Sequence, residues 1–343
     1  MAIIDRSYIR YARYAVQAYI FLFLLYAGYA FHHIVGQYEG SISAGGLTVS
    51  TLLSQADRPA SIEGFLPIGA LMSLKLWLTT GFFDRIHPAG LVIFIAALVM
   101  ALLLKKSFCG WICPVGALSD AVWRLRQQLF KHQFGMHRWV DYTLRSVKYL
   151  LMALFIYIIL IKMNPGAIAS FIEGDYYKIA DVKMLYFFTR MSATTLASLV
   201  ILFLLSLVYR NFWCRYLCPY GGLLGLLSTF SPLKITRNNE ACIHCGLCSN
   251  NCPSLIPVER LPSVRTPECT GCLTCVSRCP AKGALEISIS GRRTLHPVVF
   301  IIFVTLLFFG ILGIGRHAGK WQSSVTESEY RRIIPTASAL EHP

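Results

Sequence analysis

Apolar residues in this chain gather in long runs rather than in alternation. After Arg6, Arg10 and Arg13, 22 mostly apolar residues occupy 14–35, enough to cross a hydrocarbon core of about 30 Å at about 1.5 Å per residue. We read it as an uncleaved first helix, since it exceeds the core of a signal peptide. Comparable runs occupy 88–104, 147–161, 193–209 and 297–315, giving five expected spans. Residues 65–83 are apolar but interrupted by Pro67, Gly69 and Lys75. A crossing there would invert every later basic loop, so the expectation is an amphipathic or re-entrant helix at the outer face. Residues 118–148 set Arg124, Arg126, Lys131, Arg138, Arg145 and Lys148 among Trp123, Leu125, Leu129 and Trp139, a pattern that predicts an amphipathic helix on an anionic leaflet. The Gly/Ser-rich stretch 36–60 reads as an outer loop, and 316–343 as a polar outer tail.

Composition agrees with this picture. The 343 residues are 55% hydrophobic and only 14% charged, with a mean hydropathy of +0.54, too apolar for a soluble enzyme. The net charge of +15 would suit a nucleic-acid binder, but the lysines and arginines cluster beside the apolar runs, at Lys105 and Lys106, at Arg210, and at Arg292 and Arg293. That distribution is the positive-inside pattern, which excludes nucleic acid as the partner and points to membrane lipid. It predicts a cytoplasmic N-terminus, a cytoplasmic segment 230–292 and a periplasmic C-terminus.

The chemistry lies in the cysteines, of which there are 12. Eight form two runs, Cys242-x-x-Cys245-x-x-Cys248-x-x-x-Cys252-Pro and Cys269-x-x-Cys272-x-x-Cys275-x-x-x-Cys279-Pro. This is the bacterial two-cluster ferredoxin spacing, in which three close thiolates hold three corners of a [4Fe–4S] cube and the fourth ligates the other cube. The expected sets are Cys242, Cys245, Cys248 and Cys279 for one cluster, and Cys252, Cys269, Cys272 and Cys275 for the second. Structural zinc prefers paired Cys-x-x-Cys knuckles, and disulfides are scarce where thiols stay reduced.

The other four cysteines form Cys109-Gly-Trp-Ile-Cys113-Pro and Cys214-Arg-Tyr-Leu-Cys218-Pro. Cysteines four apart share one helix face, and the following proline suits the first turn of a new helix. A shift of 105 positions superposes these motifs and also Arg85 on Arg190, so the membrane part reads as a parallel internal repeat. Brought together, Cys109, Cys113, Cys214 and Cys218 are a third metal centre, either another cluster or a copper site; redox-active or packed thiols are the alternatives. Neighbouring Lys105, Lys106, Arg210 and Arg215 are expected to lower the thiol pKa values. At the outer boundary, Trp77, His87, Tyr186 and Arg190 form either a quinone pocket or an interfacial belt, and Lys75 either binds something or snorkels. His32 and His33 read as interfacial.

The fold class is therefore mainly α: a polytopic helical membrane protein with an internal parallel repeat, plus a small α+β module for two [4Fe–4S] clusters. The stretches expected are 1–118, the first membrane repeat; 119–229, an amphipathic segment and the second repeat; 230–292, the ferredoxin module; and 293–343, the last span and tail.

Paired Cys-x-x-x-Cys-Pro motifs among four to five spans, joined to a two-cluster module, resemble the NapH/NosR-type membrane polyferredoxins over roughly residues 75–285. The resemblance implies an integral-membrane electron-transfer subunit of a respiratory complex in the bacterial cytoplasmic membrane, rather than a stand-alone catalyst. Its electrons would pass between cytoplasmic or membrane donors and the quinone pool or a periplasmic-side partner. Copper-handling relatives imply the alternative, a redox maturation factor for a metalloenzyme. Two departures from the family are the absence of a large flavin-binding domain and the unmatched tail.

Overall fold

The computed structural model describes residues 6–39, 58–129, 137–291, 293–337 and 340. The expected outer loop lies mostly outside the described residues, as do the Lys131 and Arg292 side chains. Each apolar run becomes a helix: Ser7–Tyr38, Pro88–Leu104, Arg138–Ile156 continued by a π-helical turn Tyr157–Lys162, Ala193–Val208 and Pro297–His317. Among the described residues, three helices are long and apolar enough to cross a membrane, Ser7–Tyr38, Trp139–Lys162 and Pro297–His317. A fourth crossing exists if Ala180–Thr189 and Ala193–Val208, bent by 76° at their junction, count as one span. Pro88–Leu104, at 17 residues, falls just short of that length. Pro67–Thr80 has 14 residues, about 21 Å at 1.5 Å per residue, too short to cross.

Two expectations need correction. The basic segment 118–148 is not one surface helix: Pro114–Leu129 ends it, and Trp139, Arg145 and Lys148 already belong to the long helix that starts at Arg138. The tail is not simply polar. Thr326 and Glu329 close a capping box on the helix Glu327–Ile333, which satisfies its first free N–H groups, and Tyr330, Ile333 and Ile334 are buried.

Backbone contacts divide the chain into two compact units. Unit 1 comprises Met1–Phe21, Ala96–Ala153 and Leu199–Gly310. It contains a four-stranded antiparallel sheet in the order β2-β1-β3-β4, with β1 Leu233–Arg237, β2 Ser263–Val264, β3 Leu285–Ile289 and β4 Arg293–Leu295. Leu233, Ile235, Leu285 and Ile287 face inward, the period-two pattern of a sheet with one buried face.

Unit 2 comprises Leu22–Ile95, Leu154–Ser198 and Ile311–Pro343. One core gathers Phe31, Val35, Ile179, Val182, Tyr330 and Ile333; another gathers Met72, Leu76, Ile159, Ile168 and Tyr177. Lys75 neither snorkels nor stands free. Its Nζ donates to the carbonyls of Ile159 (3.0 Å), Leu160 (3.1 Å) and Met163, which satisfies acceptors at the end of a helix. His87 is buried, with Nε2 2.7 Å from the Tyr177 carbonyl and Nδ1 3.5 Å from the Glu63 carboxylate. Arg58 bridges Glu63 (2.9 Å) and Asp181 (2.8 Å). Tyr186 and Arg190 both bind Glu39, and Trp77 stacks edge-on against Phe83.

Candidate metal centres

The two ferredoxin-like runs fold alike because they repeat every 27 positions. In each, the residue before the second cysteine and the residue after it have left-handed backbone: His244 (φ 54°) and Gly246 (φ 72°), then Gly271 (φ 59°) and Leu273 (φ 57°). These turns aim backbone N–H groups at sulfur, His244 at Cys242 and Gly271 at Cys269. His244 and Leu273 hold a conformation that costs a residue with a Cβ about 1–3 kcal/mol, a strain that collects at functional loops.

Two cavities result. One is lined by Cys242, Cys245, Cys248 and Cys279, with Arg237 and Glu259 on its wall. The other is lined by Cys252, Cys269, Cys272 and Cys275. The cysteines of the first are the more exposed: Cys245 is exposed, whereas Cys252, Cys269 and Cys272 are buried. Among the described residues, no three His, Cys, Asp or Glu side chains are placed to hold a single metal ion. The quartets surround a void instead of converging on ligand distances of about 2.3 Å. Soft sulfur donors spaced around a void, with N–H groups directed at the sulfurs, fit an iron–sulfur cube.

Burial makes the thiols of the second cavity hard to ionise: Cys252 is pushed up to about 12, and Cys269 and Cys275 are also raised by burial. Cys272 departs in the other direction. Burial raises it, but the Arg13 guanidinium and the Thr274 hydroxyl outweigh that and lower it.

The Cys-x-x-x-Cys-Pro motifs form matching π-helical turns, Phe108–Ile112 and Trp213–Leu217. Cys113 N donates to Phe108 O (2.9 Å) and Cys218 N to Trp213 O (3.0 Å). Each turn ends at a proline that opens the next helix, Pro114–Leu129 or Pro219–Ser228. Wide turns of this kind are rare and concentrate at functional sites. They bring four thiols within electrostatic reach of one another: Cys214 is raised by burial and further by Cys218, Cys113 and Cys109. The expected lowering of these pKa values does not occur. Burial pushes Cys109 and Cys218 up and Cys113 to about 11, and Lys106 offsets only part of this at Cys109 and Cys218.

The other cations are engaged elsewhere. Lys105 donates to Ser228 O (3.3 Å). Arg210 donates to Asn250 O (3.3 Å) and Asn251 O (3.1 Å). Arg215 pairs with Asp141 (2.9 Å) and donates to Ser254 O.

These bonds show what sequence reasoning missed: both proline-ended turns grip the loops around the more buried cavity. Arg210, Asn211 and Arg215 hold the backbone of 250–254, which contains Cys252. Trp111 Nε1 donates to Gly271 O (3.0 Å). A Cβ on Gly110 would lie 2.7 Å from Thr270 O, and one on Gly116 2.3 Å from Cys109 O. Arg13 Nε donates to Gly110 O (2.8 Å), Nη1 donates to Thr274 Oγ1 (3.2 Å), and Nη2 pairs with Asp120. Lys148 Nζ sits 2.7 Å from both oxygens of Glu268, which also accepts from the Tyr149 hydroxyl (2.9 Å). The signal available in the sequence was the glycines themselves: Gly110 faces Thr270 and Cys272, and Gly271 faces Leu104 and Lys105.

Gly110→Ala is therefore expected to lower stability by about 1–3 kcal/mol, the range for overpacking a close contact. The fall would be read as a lower thermal midpoint in detergent, accompanied by iron loss. Gly283→Ala, with open space at its Cβ but φ +74°, should lower the midpoint without iron loss.

A 4Fe-4S binding domain matches twice, over 86–133 and 192–238, and a 4Fe-4S dicluster domain matches 234–280. The "Putative electron transport protein YccM" of Escherichia coli (strain K12) is 44% identical over 96% of this chain and 91% of its own length. The methylamine utilization ferredoxin-type protein MauN of Methylorubrum extorquens is 28% identical over 68% of this chain and 74% of its own. The ferredoxin-type protein NapH of Haemophilus influenzae is 26% identical over 57% of this chain and 68% of its own. No solved structure matches the chain.

Proposed function

Because the chain belongs to the NapH/NosR-type ferredoxin family, we propose that it is the membrane-embedded iron–sulfur subunit of an electron-transfer complex. In this reading Cys242, Cys245, Cys248 and Cys279 hold one [4Fe–4S] cluster, and Cys252, Cys269, Cys272 and Cys275 hold the second. The observation that carries it is the pair of cavities, each lined by one such quartet, with the buried one gripped by both Cys-x-x-x-Cys-Pro turns. Clusters bound there would supply one-electron chemistry without an acid, base or nucleophile.

The residues of the chain set distance and environment. Left-handed turns aim N–H groups at sulfur, and the grip of Trp111 and Arg215 fixes the buried quartet against the proline-ended turns. The second of the two 4Fe-4S matches begins 106 residues after the first and ends 105 after it, which favours the parallel repeat. Four mutually coupled thiols at the meeting of the two halves favour a third centre on Cys109, Cys113, Cys214 and Cys218. The basic loops favour a cytoplasmic N-terminus and ferredoxin module and a periplasmic C-terminus in the inner membrane. The electron partners on this reading are a cytoplasmic or membrane donor and the quinone pool or a periplasmic-side subunit.

The test is iron and labile sulfide on anaerobically purified protein, with reductive EPR, beside a Cys109→Ser/Cys214→Ser variant. About twelve irons per chain, falling to about eight in the variant, is the expected result. Eight in both would remove the third centre and leave the other two. Iron well below four, with no reducible signal, would sink the whole reading.

A further inference from the structure

We propose that Arg13, acting through Thr274, raises the reduction potential of the buried cluster and so counters the burial that would otherwise depress it. The proposal rests on the two-cluster assignment above. Arg13 is 5% exposed, and its guanidinium is committed on three sides, to Gly110 O, Thr274 Oγ1 and Asp120. Thr274 Oγ1 in turn lies 3.3 Å from Cys272 Sγ as a donor. With Arg13 occupying a lone pair of that oxygen, the single hydroxyl proton is directed to the sulfur. A hydrogen bond polarised by a neighbouring cation is stronger than a neutral one.

Reduction adds one electron and one negative charge, and no proton moves. A buried cation and a donor to a ligand sulfur both favour the more negative form, and both are recognised controls on cluster potential. Asp120 offsets part of the field of Arg13, but the hydrogen bond to sulfur stays. A second buried cation, Arg210, lies close enough to Cys252 and Cys272 to interact with both. In the first cavity the corresponding cation is Arg237, which bonds Cys242 and favours its negative form. Arg237 and Glu259 line that cavity together with opposite charges, and the exposed Cys245 lets solvent screen them.

The experiment is an anaerobic EPR redox titration of the full chain in detergent, with Arg13→Gln and Thr274→Val beside the parent. A Cys252→Ser protein identifies which signal belongs to the buried cluster. The parent gives the reference midpoint of the buried cluster. In each variant that midpoint alone should fall, by at least a tenfold change in the equilibrium between the two clusters, about 59 mV for one electron. Unchanged midpoints at full iron content, or equal shifts of both, would overturn the proposal and leave the cluster assignment standing. If Arg13→Gln fails to load iron, Thr274→Val, which keeps side-chain volume, decides. A parent without reducible iron would instead fell the assignment.

Discussion

A Cys252→Ser protein should lose the cluster it would share with Cys269, Cys272 and Cys275 and keep the one shared by Cys242, Cys245 and Cys248. Iron would fall by about four per chain. Linear order argues the opposite, since Cys252 closes the first run. The structure sets it in the wall of the second cavity with Cys269, Cys272 and Cys275, and charge on Cys272 and Cys269 raises it. Cys279 lines the first cavity, where Cys245 and Cys242 raise it. The decisive comparison is between variants: Cys252→Ser and Cys269→Ser should abolish the same EPR signal, and Cys279→Ser the other. If Cys252→Ser and Cys242→Ser erase one common signal, the crossed arrangement is wrong.

Lys148→Met is expected to destabilise the protein by about 3–5 kcal/mol, because it strands the Glu268 carboxylate in a buried site. Lys148 is fully buried, and Glu268 is 6% exposed. Glu268 immediately precedes Cys269 and its backbone carbonyl accepts from Ser254 (2.8 Å), so the variant should also shed iron from the buried site. Lys148→Met/Glu268→Met should recover most of the loss, since well-packed apolar replacements of buried ion pairs are often neutral or better.

The same residue predicts a pH dependence. Burial raises the Glu268 carboxyl, but Lys106 and Lys148 outweigh it and hold the group below the ordinary glutamate range. A depressed carboxyl contributes stability that is fully present above its unfolded pKa and is lost as pH falls through its folded one. The thermal midpoint of the parent should therefore decline more steeply below about pH 4.5 than that of Glu268→Gln. Parallel profiles would remove Glu268 from the account.

What could be read from the sequence was whatever depends on spacing along the chain. The cysteine runs carry their ligand pattern in contiguous residues, and the apolar runs carry helix length. The fate of individual charges was not legible, because a lysine after an apolar run has the same composition whether it meets lipid headgroups or protein. Lys105 and Lys106 were expected at a membrane surface; both are buried, donating to carbonyls of Ser228 and Gly221. The thiol pKa values went the opposite way for the same reason, since burial is a tertiary quantity and outweighs nearby charge at Cys109 and Cys113. Helix Arg138–Ile156 began well before its apolar run because Asp141 is neutralised by Arg145 and Arg215, partners one turn away and some seventy residues on. The tail reads as polar in sequence, and only packing shows that Tyr330 and Ile333 join a core.

The contact of Gly110 with the 270–272 backbone, and the burial of three of the four sulfurs behind it, imposes a timetable on biogenesis. The first proline-ended turn is synthesised about 160 residues before the loop that must seat on it, so a docking surface waits while the loop emerges. Whatever fills the buried cavity has to be delivered after that loop emerges and before it seats, or the loop must be pried off Gly110 and Trp111 to admit it. The cavity of the more exposed cysteines imposes no such deadline, and its contents could be repaired in the finished protein.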